Sequence, residues 1–580
     1  MSAAQFNSVD RLAVLVCKRT FFLCVWLLCQ AVVALDSATA QVPVADQSTC
    51  FIPLATEATT GTLPANALFP DQAMGAASSL AWSAYMRLWR AHHDEPSDTS
   101  IRRYLGLPIK GTVEAKSKRG RSAPRWMGWA AGSYQQIDTP HFTVFTHADE
   151  PAAVAVAEDL EHCYWIWTQM FFPLWEASGQ VTATLKSLGD QDVSEFLHAN
   201  PSSRISIRRK LRVVLFRDAA EYQQTLGRDI PGIERSTGFY NDDKRTIFLY
   251  VSADDDVETR RHELVHQLFR EATRSTLGNR KPAERSEFWI IEGIAGYFES
   301  IHIGDHYATV GGWHAPRLQF ARYRILQNGD VMPINELRAD GRIAAQKRQD
   351  IARWYAHSIA QTHHLMDSGD PKKRIGVYQI LANQYGVKSS ISGGAIIGDV
   401  QRQLHDFLVV SDADLKANPC DHPPKKLCLT GCEVSSGGLR NIPPSDNIQW
   451  LDLTRLPIDN EAVTRIAPNP IFLSQLTLEG TRVDTGLGGW LSKAINLREL
   501  DLSLSPMDDT VLTAVSGAND LQVLWMTGTK VSDRSIDTIA SFGKLESVDV
   551  QRTQVTDQGI ARLKKLRPKL NINPLQLRTK

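Results

Sequence analysis

The sequence predicts two folded domains in series: an α+β domain, built as a small mixed sheet followed by a helical half, and an α/β repeat solenoid. Three observations predict this. The chain is 580 residues long, whereas single cores rarely grow past about 250–300 residues. The stretch from His141 to Val251 alternates strand and helix patterns and then turns mainly helical up to about residue 412. Beyond it, pairs of the type Leu-x-Leu recur every 24–25 residues to the C-terminus.

Composition narrows the function. Lys+Arg and Asp+Glu are both 64, the formal net charge is zero, and 43% of residues are hydrophobic. These values fit a folded, water-soluble chain, and zero charge gives no support for a general nucleic-acid or membrane-surface binder. At the N-terminus, Arg11, Lys18 and Arg19 precede a largely apolar run from Phe21 to Ala34, and Ala38-Thr39-Ala40 follows it. That order predicts a secretory signal peptide over residues 1–40. The apolar run is shorter than the roughly 20 residues a spanning helix needs. The expectation is therefore an exported protein, periplasmic, cell-surface or extracellular, with no membrane span after signal removal. Cys50, Cys163, Cys420, Cys428 and Cys432 remain in the mature chain. Export permits disulfides, and the Cys420, Cys428, Cys432 cluster is the expected source of a bridge. Zinc is disfavoured there, because His422 is the only neighbouring extra donor.

Residues 41–136 form an N-terminal region with a helical pattern from Ala73 to His93 and a basic stretch, Lys116 to Arg125, that reads as a solvated linker. The α+β domain is expected over 137–412. Phe142 to Thr146 is β-branched and aromatic, as in a strand. Pro151 to Phe171 reads as a long helix with Pro near its start. Residues 176–209 look like a polar insertion, and Leu211 to Phe216 like a compact strand. Asn241-Asp242-Asp243 separates Phe239-Tyr240 from Thr246 to Val251, which predicts a hairpin.

The chemistry concentrates in His262-Glu263-Leu264-Val265-His266. On a helix, residues four apart share one face, so His262 and His266 can bind one metal ion with Glu263 beside it. Leu264, Val265, Leu268 and Phe269 supply the apolar face. A catalytic zinc site needs a third protein donor and leaves one position open to water. The segment from Trp289 to Glu299, with Glu292-Gly293-Ile294-Ala295-Gly296-Tyr297 at its centre, is helical by pattern.

Here the chain resembles the gluzincin metallopeptidases, in which a second helix with a W-x-x-E-G-x-A-x-Y-x-E-like segment donates a Glu. The resemblance implies a zincin-like fold, one zinc ion held by His262, His266 and Glu292, and Glu263 as general base. Gly293 and Ala295 would let the two helices approach closely, and Glu299 reads as a supporting or salt-bridging residue. Trp354-Tyr355-Ala356-His357 resembles the tyrosine helix of peptidase-MA-like domains, where Tyr355 is either an oxyanion donor or a packing residue. The order of elements over roughly 137–412 is similar to an exported bacterial family of unassigned function with such a domain. By the same resemblance, the strand Thr246 to Val251 is the edge that pairs with an extended peptide substrate.

Residues 413–446 read as a linker and repeat cap, and 447–580 as the solenoid. Leu451-x-Leu453, Leu476-x-Leu478, Leu500-x-Leu502, Leu524-x-Met526 and Val548-x-Val550 are each preceded at three residues by Ile448, Leu473, Leu497, Leu521 or Leu545. This L-x-x-L-x-L pattern with its 24–25-residue period is that of leucine-rich repeats. Each unit adds one strand to a parallel sheet on a concave face, which commonly binds protein. Trp525, Asp501 and Glu499 are expected there as exposed partner contacts. Two functions follow as expectations: an exported zinc peptidase with a protein-binding repeat module, or an exported binding scaffold on an inactive peptidase fold.

Overall fold

The computed structural model describes residues 50–53, 80–110, 112–176, 185, 187–205, 209–230, 232–252, 257–304, 307–388, 400–420 and 422–573. The expected signal peptide, and the part of the expected insertion at 177–184, lie outside the described residues. Among the described residues no helix is long and apolar enough to cross a membrane.

The chain divides into two compact units. One comprises the described residues of Ala45–Gly312 and Pro333–Val400; the other comprises the described residues of Trp313–Met332 and Gln401–Lys580.

The first unit is built on a six-stranded mixed sheet of order β2-β3-β4-β5-β7-β6. Its strands are β2 (Lys116–Arg119), β3 (Gln135–Asp138), β4 (Phe142–Thr146), β5 (Leu211–Phe216), β6 (Gly238–Asn241) and β7 (Thr246–Tyr250). A short strand β1 (Cys50–Pro53) joins β8 (His302–Ile303) and β9 (Tyr307–Val310) in a separate three-stranded sheet. Val213, Val214, Leu215 and Phe216 are all buried, as expected for a central strand covered on both faces. Two sequence expectations change here. Lys116–Arg119 is an edge strand paired antiparallel to β3, with Lys118 bound to Asp138 at 2.6 Å, and not a linker. Its four exposed side chains are why it looked solvated; an edge strand with lysines is a common guard against aggregation. Secondly, β7 lies between β5 and β6, so the edge strand is β6.

The helices of this unit include α1 (Leu80–Asp94), α2 (Thr99–Leu105), α3 (Glu150–Met170), α4 (Ala219–Leu226), α5 (Val257–Ala272), α6 (Phe288–Phe298), α7 (Ile351–Asp367) and α8 (Pro371–Gln384). Asp149 caps α3 by accepting from Ala152 N–H, and Pro151 occupies its first turn. Helix α6 is buried at every residue from Phe288 to Phe298. Its central position is made possible by glycine: a Cβ on Gly293 would stand 2.0 Å from Thr362 Oγ1 and 2.9 Å from the Ser358 carbonyl, and one on Gly296 would stand 2.5 Å from Ile359. The close approach that Gly293 permits is thus to α7. Tyr297 adds a polar tie, donating to the buried Asp367 of α7 at 2.7 Å.

The second unit carries a seven-stranded parallel sheet in strict chain order: β10 (Lys426–Cys428), β11 (Trp450–Asp452), β12 (Gln475–Thr477), β13 (Glu499–Asp501), β14 (Val523–Trp525), β15 (Ser547–Asp549) and β16 (Asn571–Ile572). Leu427, Leu451, Leu476, Leu500, Leu524, Val548 and Ile572 stand in register. All but Ile572 are buried in one core that runs through the repeats. After each strand the chain turns through a left-handed residue at the same place: Gly431, Arg455, Gly480, Leu504, Gly528 and Arg552 all have φ between 53° and 73°. Carboxylates link successive units, as where Asp509 accepts from Ser532 Oγ at 2.7 Å and Asp533 from Thr556 Oγ1 at 2.6 Å.

The segment Trp313–Met332, expected in the α+β domain, belongs to this repeat unit. Trp313 sits in the repeat core and its indole donates to Asn418 O at 2.8 Å. The fully buried Arg322 donates to Leu408 O and Trp313 O. Gln319 Oε1 accepts from Cys428 N–H on β10 at 3.0 Å, so this segment covers the open end of the parallel sheet. No local pattern separates such a cap from the helical stretch that precedes it. Cys420, Cys428 and Cys432 are not joined by a disulfide, so the expected bridge in the cysteine cluster does not form. Cys428 and Cys432 serve instead as small apolar residues of the repeat core.

Leu504 is the informative test of the turn register, because it is a half-exposed, non-glycine residue at φ 55°. Leu504→Gly removes that strain and should stabilise the chain by about 0.5–1 kcal/mol after glycine's entropic cost. Urea unfolding followed by circular dichroism checks it; an unchanged or lower midpoint would contradict the turn assignment.

Candidate metal centre

Helix α5 is amphipathic in the way its sequence requires. Leu264, Val265, Leu268 and Phe269 are buried, and Gln267 anchors the helix to β5 by donating to Arg212 O at 3.0 Å. His262, Glu263 and His266 are left on the opposite side, facing a cleft of about 380 Å³. Glu292, one turn into α6, enters the same cleft, as do Tyr240, Arg342 and Tyr355.

The donor atoms of His262, His266 and Glu292 lie within 4.8 Å of one another. His262 Nε2 is 3.3 Å from one Glu292 oxygen, and His266 Nε2 is 3.6 Å from the other. The far side of His262 is fixed by Glu299, whose Oε1 meets Nδ1 at 2.8 Å. Glu299 is buried, and its place two turns beyond Glu292 lets one helix supply both the facing carboxylate and the one that orients the ring. The electrostatics are those of a tightly paired buried cluster. Burial opposes charge on His262, but Glu292 and Glu299 outweigh it and hold its imidazolium up to about 10. Burial pushes His266 down to about 3. Burial would raise Glu292, yet His266 and His262 hold it at about 2.

Glu263 accepts the Tyr240 backbone N–H at 2.6 Å with one oxygen. Burial pushes its carboxyl up to about 7. The contact depends on where the β6–β7 hairpin is held. Asp242 in its turn takes hydrogen bonds from Arg270, in the last turn of α5, at 2.9 and 3.0 Å and from Arg274, which starts the short helix Arg274–Leu277, at 2.5 Å. Tyr355 is half-buried and its hydroxyl pKa is driven far above the ordinary range by the Glu292 charge and by burial. Edge strand β6 uses several of its backbone groups internally: Ser236 Oγ serves both the N–H and the C=O of Gly238, and Glu263 takes the N–H of Tyr240.

All five residues singled out in sequence for this centre, His262, Glu263, His266, Glu292 and Tyr355, line the one cleft. Arg342 is a cleft residue that sequence reasoning missed. It starts a short helix, Arg342–Gln346, packs over the Phe288 ring at 4.8 Å and adds positive potential at Glu292 and His266. No motif marks it, because it arrives from a loop 50 residues after Glu292. Glu287, outside the cleft lining, is a further residue that no motif marks. It has φ 61°, immediately before α6, and its carboxylate receives Trp289 Nε1 and Arg338 Nε, each at 2.7 Å. It therefore fixes where the Glu292 helix starts.

The sequence-expected partner contacts on the repeat sheet are corrected in part. Trp525 and Asp501 are buried, and Glu499 is half-buried. Adjacent strands lie in register, so Thr477, Asp501, Trp525 and Asp549 cover one another along the ladder. The aspartates also have structural work: Asp452, Asp501 and Asp549 each accept the backbone N–H two residues on, at 3.0, 2.8 and 2.8 Å. The accessible column is the first residue of each strand, Trp450, Gln475, Glu499, Val523 and Ser547.

No protein-family model matches this chain, and no curated protein sequence matches it.

Two outcomes follow. Gly293→Ala places a methyl against the Thr362 hydroxyl and the Ser358 backbone and should cost about 1–3 kcal/mol by overpacking. A midpoint within about 0.5 kcal/mol of wild type in chemical denaturation would contradict the packing. Secondly, burial pushes the Asp501 carboxyl well above the usual range. A folded value above the unfolded one, about 3.9, means the folded state binds more protons. Stability of the repeat unit should therefore fall as pH rises from about 4 toward neutrality. Asp501→Asn keeps an acceptor for Ser503 N–H and should flatten that fall; thermal melts across this range decide it.

Proposed function

We propose that the chain is an exported zinc-dependent peptide-bond hydrolase of gluzincin type, joined to a leucine-rich repeat solenoid that binds protein. The observation that carries this reading is the convergence of His262 Nε2 and His266 Nε2, from one helix, on the two oxygens of Glu292 from the next. Glu299 meets Nδ1 and Glu292 faces Nε2, so release of the Nε2 proton would direct the His262 lone pair into the cleft. Two imidazole nitrogens and a carboxylate gathered in this way call for a cation, and a donor set of two histidines and one glutamate suits zinc. Zinc held by these three residues would polarise a scissile carbonyl and bring the pKa of water from about 15.7 to about 7.

The chain's own groups have separable tasks. Glu299 orients His262, as supporting carboxylates do for ligating histidines. Glu263 has one oxygen committed to Tyr240 N–H, which leaves the other to take a proton from water and pass it to the leaving amine. Tyr355 lies beside Glu292 in the cleft, and its hydroxyl would donate a hydrogen bond to the oxygen on which charge develops. Arg342 adds positive potential to the same cleft. The zincin-like assignment of the first unit rests on its mixed sheet, the two donor helices and the order in which they occur. The repeat assignment rests on the 24–25-residue spacing of in-register strands.

A second reading, a binding scaffold on a peptidase fold that does not hydrolyse, is favoured by the edge strand. The N–H and C=O of Gly238 and the N–H of Tyr240 are bonded within the chain, which reduces what β6 offers to an extended peptide.

One experiment separates the two readings. Purified protein is assayed for zinc and for hydrolysis of a broad peptide library, beside Glu263→Gln and Glu292→Gln. The peptidase reading expects Glu263→Gln to keep its zinc and lose about 10²–10⁴-fold in rate, and Glu292→Gln to lose metal at this site. A Glu263→Gln protein as active as wild type would overturn it, and a zinc-loaded chain inert on every peptide would favour the scaffold.

A further inference from the structure

We propose that His314, Cys420 and His422 form a second metal site, a zinc centre of one thiolate and two imidazoles in the repeat unit, separate from the cleft of the first unit. One donor atom from each residue lies within 4.8 Å of the other two. His314 and Cys420 are buried and His422 is half-buried. The two imidazoles stand edge to face, 5.0 Å between centroids at 76°, so that neither ring stacks over and blocks the other. A tetrahedral zinc ion, with Zn–N about 2.0–2.1 Å and Zn–S about 2.3 Å, sets its donors about 3.5 Å apart. The three atoms, within 4.8 Å of one another, would close to that spacing around the ion.

The donors come from two chain segments that the fold ties together on either side of them. Trp313, next to His314, donates from its indole to Asn418 O at 2.8 Å, two residues before Cys420. The Trp313 carbonyl is held by Arg322 Nη2 at 2.6 Å and by Gln319 Nε2 at 3.1 Å. His314 is thereby positioned beside Cys420 and His422 without a metal, as a preorganised site requires. A thiolate with two imidazoles is a soft donor set that selects zinc over calcium or magnesium. Three protein donors leave a fourth position for water. The Cys420 thiol donates to His422 O at 2.9 Å; on metal binding the thiol proton leaves to solvent, the sulfur binds as thiolate, and one proton is released per ion. The ion would tie the Trp313–Met332 cap to the start of the repeats while keeping that fourth position open. The histidine lies more than a hundred residues upstream of the cysteine, which is why spacing within the cysteine cluster disfavoured zinc there.

Cobalt(II) titration of the full wild-type chain tests this directly. The His262, His266, Glu292 centre contains no sulfur, so a thiolate-to-cobalt charge-transfer band reports only the second site. The expected result is such a band at saturation, lost in Cys420→Ser. Zinc content should be about two equivalents in wild type and about one in His262→Ala/His266→Ala. Absence of the band in the cobalt-saturated wild-type chain overturns the proposal, and so does a band that survives Cys420→Ser. Because the decisive measurement uses the wild-type protein, a variant that fails to fold does not remove the test. Failure at this site leaves the reading of the first centre untouched, since that depends on activity and metal retention in Glu263→Gln and Glu292→Gln.

Discussion

Complete burial of one helix sets the terms for the metal unit. Helix α6 is covered on every side, and yet it carries Glu292 and Glu299, two carboxylates that cannot stay ionised in such a place without partners. The imidazoles of α5 are those partners. The helix can be buried because its carboxylates meet His262 and His266, and the histidines are oriented because the carboxylates are rigidly placed. Gly293 and Gly296 bring α7 against the opposite side, and the Tyr297–Asp367 bond fastens the pair. Placement of the clustered side chains and core packing are here one arrangement.

The surrounding ion pairs extend it. Asp159 of α3 binds both Arg260 and Arg261, at 2.8 and 2.7 Å. Burial would raise its pKa, but Arg261 and Arg260 together hold it at about 2. These arginines immediately precede His262, so α5 is clamped to α3 at the residue where the metal face begins. At its other end Arg270 and Arg274 clamp the hairpin through Asp242. The face between the two clamps carries His262, Glu263 and His266, and little of it is free to shift.

Much of this was legible in the sequence, for reasons that differ by element. His262, Glu263 and His266 are close in sequence, and helical spacing alone puts them on one face. Glu292 needed the pattern around it. The repeats announced themselves because one physical unit is used over and over. What stayed hidden was contact between distant segments. Arg342 and Glu287 have no motif. The cap formed by Trp313–Met332 looks like any other helical stretch until Trp313 and Arg322 are seen buried in the repeat core. Lys116–Arg119 looked like linker because an edge strand and a solvated loop favour the same charged residues. Trp525 and Asp501 were misjudged as exposed because alternation along one strand says which face a side chain takes, not how far its neighbours on adjacent strands cover it.

The burial of α6 has a dynamic consequence. Backbone amides at the centre of a helix packed on all sides open to solvent only when the whole cooperative unit opens. The two oxygens of Glu292 are therefore not on a lid or a hinge, and the cleft has no low-energy way to assemble or dismantle its donor set. Any adjustment to different ligands falls to the elements that rim it, the β6–β7 hairpin and the Arg342–Gln346 turn. The protein thus separates a rigid floor of donor side chains from an adaptable rim.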